Sequence, residues 1–299
     1  ITLFHAKVTN EAIKEANSNI DIIGFHGQTI FHSAKEMVSK QLGDGKLLSQ
    51  ETQKKVVYDF RQNDLKNGGE GAPLAPIFHK LISKKIKVEP PLCVINLGGI
   101  ANITSIESGE ISDLGSQDIG PGNCLIDEWI KKNTDKKYDK DGFIAKSGKK
   151  DILILNQALD NHDNLKKKNI LSYDTKDFDL SFVRGLSLED GAATLTEFTG
   201  KLLAEATLNY ISKLKTKPKK ILVCGGGRKN STLINCLKDN MNIGNLVENI
   251  DNFGVDGDFI ESQAFAYLAI RSFLNLPISF PKTTGCKHPS TGGKLVNNF

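Results

Sequence analysis

An acid stands just before a glycine-proline-glycine-asparagine turn in "SQDIGPGNCLIDEWIKK", residues 116–132. Asp118 is placed to act as a general base. An aspartate at such a turn can be positioned by the N–H groups around Gly120–Asn123, and it stays ionised unless it is desolvated. The same residue type also caps helices, and the apolar positions Leu125, Ile126, Trp129 and Ile130 announce a helix directly afterwards. The local sequence leaves both roles open.

Other residues share this ambiguity. Glu261 falls in the first turn of a helix, where the macrodipole favours acids whatever their function. Arg61, in "YDFRQND", follows a strand and could clamp an anion or pair on the surface. His26 and His32 are six apart, a spacing that suits a metal pair on neither a strand nor a helix. Four glycine turns each follow an apolar strand: Gly24–Gly27, Gly98-Gly99, Gly120–Gly122 and Gly225–Gly227. Glycine lets backbone approach a phosphate and offers N–H groups to it. A single such turn means only that a strand ends. Four in one chain, two of them beside acids or amides, point to ligand binding at the carboxyl ends of strands. No GxxxxGK[ST] is present, which excludes a Walker-type loop, and no GxGxxG follows a strand.

The elements needed to position these residues can be read along the chain. "DIIGFHGQTIFH" reads as a buried strand followed by a polar turn. "QLGDGKLLSQETQKKVVYDF" reads as a turn, a short helix and a strand. "NGGEGAPLAPIFHKLISKK" is a glycine-rich loop entering a helix, with Pro73 and Pro76 near its start. "KVEPPL" marks a domain boundary, which divides residues 1–89 from 90–299, with the last residues free to pack back on the first domain. "LCVINLGGIANITSIESGEISDLG" alternates as three strands with turns at Gly98-Gly99 and at "ESGE", and a helix then starts near Gly122. Residues 190–214 form a long amphipathic helix. "KKILVCGGGRKNSTLINCL" is strand, glycine turn and helix, and "DFIESQAFAYLAIRSFLNLP" is a last helix ended by Pro277. Residues 147–180 are poorly patterned and read as an irregular excursion. A meander followed by alternating elements predicts an α/β chain with a mixed sheet covered by helices.

Composition sets the frame. The chain has 299 residues, 39% apolar and 25% charged, with a net charge of +4, a balance expected of a soluble two-domain protein. The basic runs are short and lack interleaved aromatics, so nucleic acid is not the expected partner. Five cysteines without a CxxC pair point to reduced thiols in a cytoplasmic setting and not to zinc. No apolar run is long enough to span a bilayer.

Taken in order, "GFHGQTIFH", "QLGDGKLL", "VVYDFRQNDLKNGGEGAPLAPIFH", "VINLGGIANIT", "DIGPGNCLIDEW", "LVCGGGRKN" and "ESQAFAYLAIRSFLNLP" resemble the anhydro-N-acetylmuramic acid kinase family, from Asp21 to Pro281. The resemblance implies two RNase H-like domains with ATP in the cleft between them, the actin-like ATPase fold. It implies a cell-wall recycling kinase that opens the 1,6-anhydro ring with water and phosphorylates O6, with Mg²⁺ on the phosphates. Asp118 matches the catalytic aspartate. Arg61, Gly69, Gly71, Glu261, His26 and Gln28 fall on the sugar side. Asn96, Gly98, Gly99 and Asn102 match the second phosphate-binding hairpin, and Gly225, Gly226, Gly227, Arg228 and Asn230 the adenosine loop. No protein side chain is singled out as a metal ligand. On this reading the N–H groups of the Gly-Pro-Gly-Asn turn face an anionic ligand. The partners are ATP and 1,6-anhydro-N-acetylmuramic acid, with neither nucleic acid nor membrane, and a homodimer is compatible with them.

Two departures stand out. The family opens with a Gly-Thr-Ser-Leu-Asp-Gly-type first phosphate hairpin that nothing here matches, so the first domain is expected to lack its first three strands and to leave a strand edge unpaired. "LSYDTKDFD", residues 171–179, replaces a "PPKSTGR"-like segment. Another sugar kinase of the same superfamily, or an inactive nucleotide-binding sensor, are the rival readings.

Overall fold

The structure, a computed structural model, describes residues 1–166 and 178–299. Residues 171–177 of the divergent segment lie outside the described residues. The chain forms two compact units, residues 1–85, 110–116 and 259–299 in the first and 86–109 and 117–258 in the second.

In chain order the elements are α1 (Thr2–Ala16), β1 (Ile22–Phe25), β2 (Gln28–Ser33), β3 (Val38–Leu42), α2 (Gly45–Thr52), β4 (Lys55–Tyr58), α3 (Gln62–Lys66) and α4 (Pro76–Lys85). There follow β5 (Leu92–Leu97), β6 (Ile100–Ile106), β7 (Leu114–Pro121), α5 (Cys124–Asn133), α6 (Phe143–Ser147), α7 (Ile152–Lys166) and α8 (Leu188–Ser212). The chain continues with β8 (Lys220–Cys224), α9 (Ser231–Asp239), β9 (Val247–Asn249), α10 (Ile260–Phe273), α11 (Pro281–Thr284) and β10 (Lys294–Val296).

In the first unit β1 and β4 pair in parallel, and β10 joins β4 antiparallel. Helix α10 lies so close on β1 that a Cβ on Gly24 would sit 2.4 Å from the Phe265 carbonyl oxygen, so only glycine fits there. The stretch expected as one strand before a turn is two strands. It breaks at His26-Gly27, where Gly27 takes a φ of +72°, and β2 turns off to pair antiparallel with β3. Asp44 starts α2 by accepting from the Lys46 and Leu47 amides at 2.8 and 3.2 Å.

The second unit holds a five-stranded sheet in the order β7-β6-β5-β8-β9. Strands β5 and β6 are antiparallel, while β8 pairs in parallel with both β5 and β9. The chain is thus α/β with a mixed sheet, as its pattern predicts. Ile95, Ile103, Val223, Ile126, Leu195 and Leu203 fill the core between the sheet and its helices. Helix α8 packs against its neighbours through small residues: a Cβ on Gly191 would meet the Trp129 indole at 2.3 Å, and one on Gly200 the Cys236 side chain at 2.6 Å. Helix α7 takes up 15 residues of the expected irregular excursion. Its apolar signal is short because Leu155 and Ala158 are buried while Ile152 and Leu153 are exposed. Helix α5 starts at Cys124, after Asn123.

Candidate functional site

Three glycine turns meet in the second unit. The tip of the β5–β6 hairpin is Gly98-Gly99, with Asn96 and Asn102 facing each other below it. The turn after β7 docks on this tip: the amides of Gly122 and Asn123 donate to the carbonyls of Gly99 and Gly98, each at 2.8 Å, and Cys124 adds a longer bond to Gly99 at 3.3 Å. The third turn follows β8. Gly225 takes a φ of +79°, and a Cβ there would lie 2.4 Å from Asn96 Oδ1 and 2.7 Å from the Leu97 carbonyl oxygen. A Cβ on Gly227 would meet Leu97 and the Asn123 amide group within 3.0 Å.

Asp118 is half-buried in β7, three residues before Pro121. Its strand end is held to the hairpin by the bonds just described. This corrects one expectation. The N–H groups of Gly122, Asn123 and Cys124 are spent on hairpin carbonyls and do not face a ligand, because the turn and the hairpin satisfy each other's backbone.

A cavity of about 400 Å³ adjoins these turns, within the usual range of small-molecule sites. Asn123, Asp127, Tyr138, Gly226, Lys229 and Asn230 line it, with Asp139, Lys140, Asp141 and Asp258. Asn230 lines it while its Oδ1 caps α9 by accepting from the Leu233 amide at 3.0 Å. Burial pushes the Asp127 carboxyl up to about 6, against the pull of Lys131, with Asp139 adding to the rise. Asp139 is itself buried and accepts from the Ile144 and Ala145 amides, both at 2.9 Å.

Arg228 is engaged differently from its neighbours. Its side chain is 2% exposed, and its Nε donates to both Asp251 carboxylate oxygens at 2.9 and 3.0 Å. Its Nη1 donates to Asp258 at 2.7 Å and to the Gly225 carbonyl at 3.1 Å, and its Nη2 reaches Asp256 at 3.4 Å. The guanidinium is a strut beneath the Gly225 turn.

In the first unit Arg61 stands at the start of α3, after the carboxyl end of β4. Its Nε donates to His26 Nε2 at 3.0 Å and its Nη1 to the Gly71 carbonyl at 2.8 Å. Burial lowers the Arg61 pKa, opposed by the charges of Glu261 and Asp64. Glu261 is exposed in the first turn of α10. Burial and then the Arg61 charge push His26 down to about 4, and the same two causes lower His32. The His26 ring packs on Phe265 with centroids 4.3 Å apart. Gly69 and Gly71 are gathered by Asp64, which is buried. Its Oδ2 accepts from the Gly71 amide and its Oδ1 from the Thr284 hydroxyl, both at 2.7 Å, and a Cβ on Gly69 would lie 2.3 Å from Oδ2. Gln28 is exposed on the β2–β3 hairpin, its amide reaching the Thr29 carbonyl at 3.4 Å.

Asp64, Asp127 and Tyr138 escaped the sequence reading. Asp127 carried a usable signal: it stands four residues after Asn123 on the same helical face. Asp64 and Tyr138 carried none, since only folding brings Asp64 under the glycine loop and Tyr138 to the cavity.

The second unit thus brings together, on a mixed sheet, three interlocked glycine turns, a half-buried acid and a cavity beside the turns. The family model for anhydro-N-acetylmuramic acid kinase matches residues 1–298. The anhydro-N-acetylmuramic acid kinase of Pelagibacter ubique is 55% identical over 299 residues, 100% of this chain and 80% of that protein. That of Zymomonas mobilis is 43% identical, covering 99% of this chain and 79% of its own length. That of Rhodospirillum rubrum is 41% identical, covering 98% and 76%. Among solved structures, the activator of the 2-hydroxyisocaproyl-CoA dehydratase from Clostridium difficile with bound ADPNP aligns with a TM-score of 0.38 and 11% identity over 63% of each chain. The chain belongs to the anhydro-N-acetylmuramic acid kinase family. Among the described residues, no helix is long and apolar enough to cross a membrane.

Proposed function

We propose that the protein is an ATP-dependent kinase that opens 1,6-anhydro-N-acetylmuramic acid with water and delivers N-acetylmuramic acid 6-phosphate to cell-wall recycling. Asp118 takes a proton from water as the water oxygen attacks the anomeric carbon. The bond from that carbon to O6 breaks, and O6 takes the γ-phosphoryl group as ADP leaves. The observation that carries the reading is the docking of the Asp118 turn on the Gly98-Gly99 hairpin. It makes the base and the phosphate-facing turn one rigid piece, as phosphoryl transfer by positioning requires.

In this reading the Gly225–Gly227 turn and the adjoining cavity take the adenosine. Tyr138 offers the base a flat face, and Asp127 offers its carboxylate to ligand hydroxyls. Arg228 serves by holding the Gly225 turn and not by touching the nucleotide. Arg61, His26, the Gly69–Gly71 loop and Glu261 serve the sugar. Mg²⁺ belongs to the same reading. It supplies charge neutralisation on the phosphates, needs only one or two carboxylates from the protein and keeps its waters, so no preformed cage is required.

The test is Asp118→Asn in single-turnover phosphorylation of the anhydro sugar. The amide keeps the shape but cannot accept the proton. Turnover should fall by about 10²–10⁴-fold with ATP affinity retained. If Asp118 were only a helix cap, asparagine would cap as well and turnover would stay near normal.

A further inference from the structure

The two nitrogens of His26 face partners that each have a single hydrogen-bonding role. Nδ1 lies 2.8 Å from the Gly27 carbonyl oxygen, which can only accept. Nε2 lies 3.0 Å from Arg61 Nε, which can only donate. The Arg61 contact demands a neutral ring with its proton on Nδ1, the Gly27 contact demands a proton on that same nitrogen, and the two demands agree. The ring cannot rotate to escape them, since it packs on Phe265 at 4.3 Å and Phe265 packs on Phe60 at 5.3 Å. Arg61 is fixed at a second point by the Gly71 carbonyl. With Nε and one Nη1 proton committed, the plane of the guanidinium is set. Among the described residues, no bond engages Nη2.

We propose that His26 is a positioning residue. Locked as the Nδ1–H tautomer, it turns the outer edge of Arg61, the Nη2 pair and the second Nη1 proton, toward the carboxylate of an acidic sugar. This rests on the assignment of the sugar to the Arg61 side given above. A planar fork held at two points is suited to a carboxylate, and a lysine in its place would offer only a point charge. The low pKa of His26 fits the role, because a protonated ring would have no acceptor for Arg61. The position selects for an acceptor at Nε2. Glutamine reaches that point with Oε1, and leucine fills the space without it.

The experiment compares His26→Leu and His26→Gln on 1,6-anhydro-N-acetylmuramic acid and on its neutral methyl ester. The wild type should prefer the acid over the ester in KM by about 10–100-fold, the worth of a charge-assisted bidentate contact. His26→Leu should raise KM for the acid toward that of the ester with KM for ATP unchanged, and His26→Gln should restore most of the preference. An acid preference that survives in His26→Leu overturns the proposal. Nitrogen-15 NMR of the wild type decides it independently of turnover, even if His26→Leu does not fold. The proton should sit on Nδ1, and a proton on Nε2 overturns the proposal. A wild type that phosphorylates neither sugar would instead sink the assigned reaction, with the tautomer measurement still deciding the His26–Arg61 lock.

Discussion

A Cβ placed on Gly122 would lie 2.1 Å from the Gly98 carbonyl oxygen, a backbone atom that cannot swing aside. The strand end that carries Asp118 and the hairpin that follows β5 are therefore in contact backbone to backbone, with Gly122 as the point where no side chain is tolerated. Gly122→Ala should push the two apart. Overpacking of this kind costs about 1–3 kcal/mol, so the variant should melt several degrees lower and lose at least about tenfold in phosphorylation rate. Gly109→Ala is the control, because a Cβ there meets nothing within 4 Å. If Gly122→Ala and Gly109→Ala are indistinguishable in melting and in rate, the contact does not position the acid.

Much of this frame was legible before folding was considered. Alternation around Gly98-Gly99 located β5 and β6, and the apolar run before Gly225 located β8. What the sequence hid has identifiable physical causes. The β1–β2 break depends on the left-handed backbone of Gly27, which resembles any other glycine after a strand. Up to His162 helix α7 buries few apolar residues, so its periodicity was too short to read among Asn, Asp and Lys. The glycines of the three turns were visible, but the direction of their N–H groups was not. That direction depends on which turn docks on which, and here the Gly122 and Asn123 amides are consumed by the hairpin. The engagement of Arg228 was hidden for the same reason. Its acidic partners lie 23 to 30 residues further on, and nothing local announces them.

Arg228 should therefore act through the loop it holds. Arg228→Met leaves Asp251, Asp256 and Asp258 crowded without their shared cation. These carboxylates are 39%, 56% and 44% exposed, so water screens much of the repulsion, and the loss of stability is expected to be smaller than for a fully buried pair. The Gly225 carbonyl also loses its donor. KM for ATP should rise about tenfold or more while KM for the sugar holds. Arg228→Lys should rescue poorly, since an ammonium cannot bridge Asp251, Asp258 and the carbonyl at once. Equal shifts in both KM values, or none in either, would mean that the strut does not shape the nucleotide side.

Asp127 makes a prediction about stability as well as binding. Its carboxyl is raised from 3.8 to about 6, chiefly by burial. The folded state thus holds this proton more tightly than the unfolded chain. Between these two values the native protein binds more protons, so stability falls as pH rises through that window, and the loss is complete above about 6. Asp127→Asn has no proton to lose. It should melt at a higher temperature than the wild type at about pH 7.5, and the gap should shrink as the pH is lowered toward about 4. The wild type keeps a costly carboxylate facing the cavity, as sites commonly do when the charge serves a ligand. The same variant should bind ATP more weakly, because the amide is a poorer acceptor for hydroxyls than the carboxylate it replaces. Paired melting curves across that pH range, with ATP titrations at the upper end, test both halves. A melting gap that does not change with pH would show that burial of the charge is not what Asp127 costs the fold. Unchanged ATP affinity in a stabilised variant would remove Asp127 from the nucleotide site.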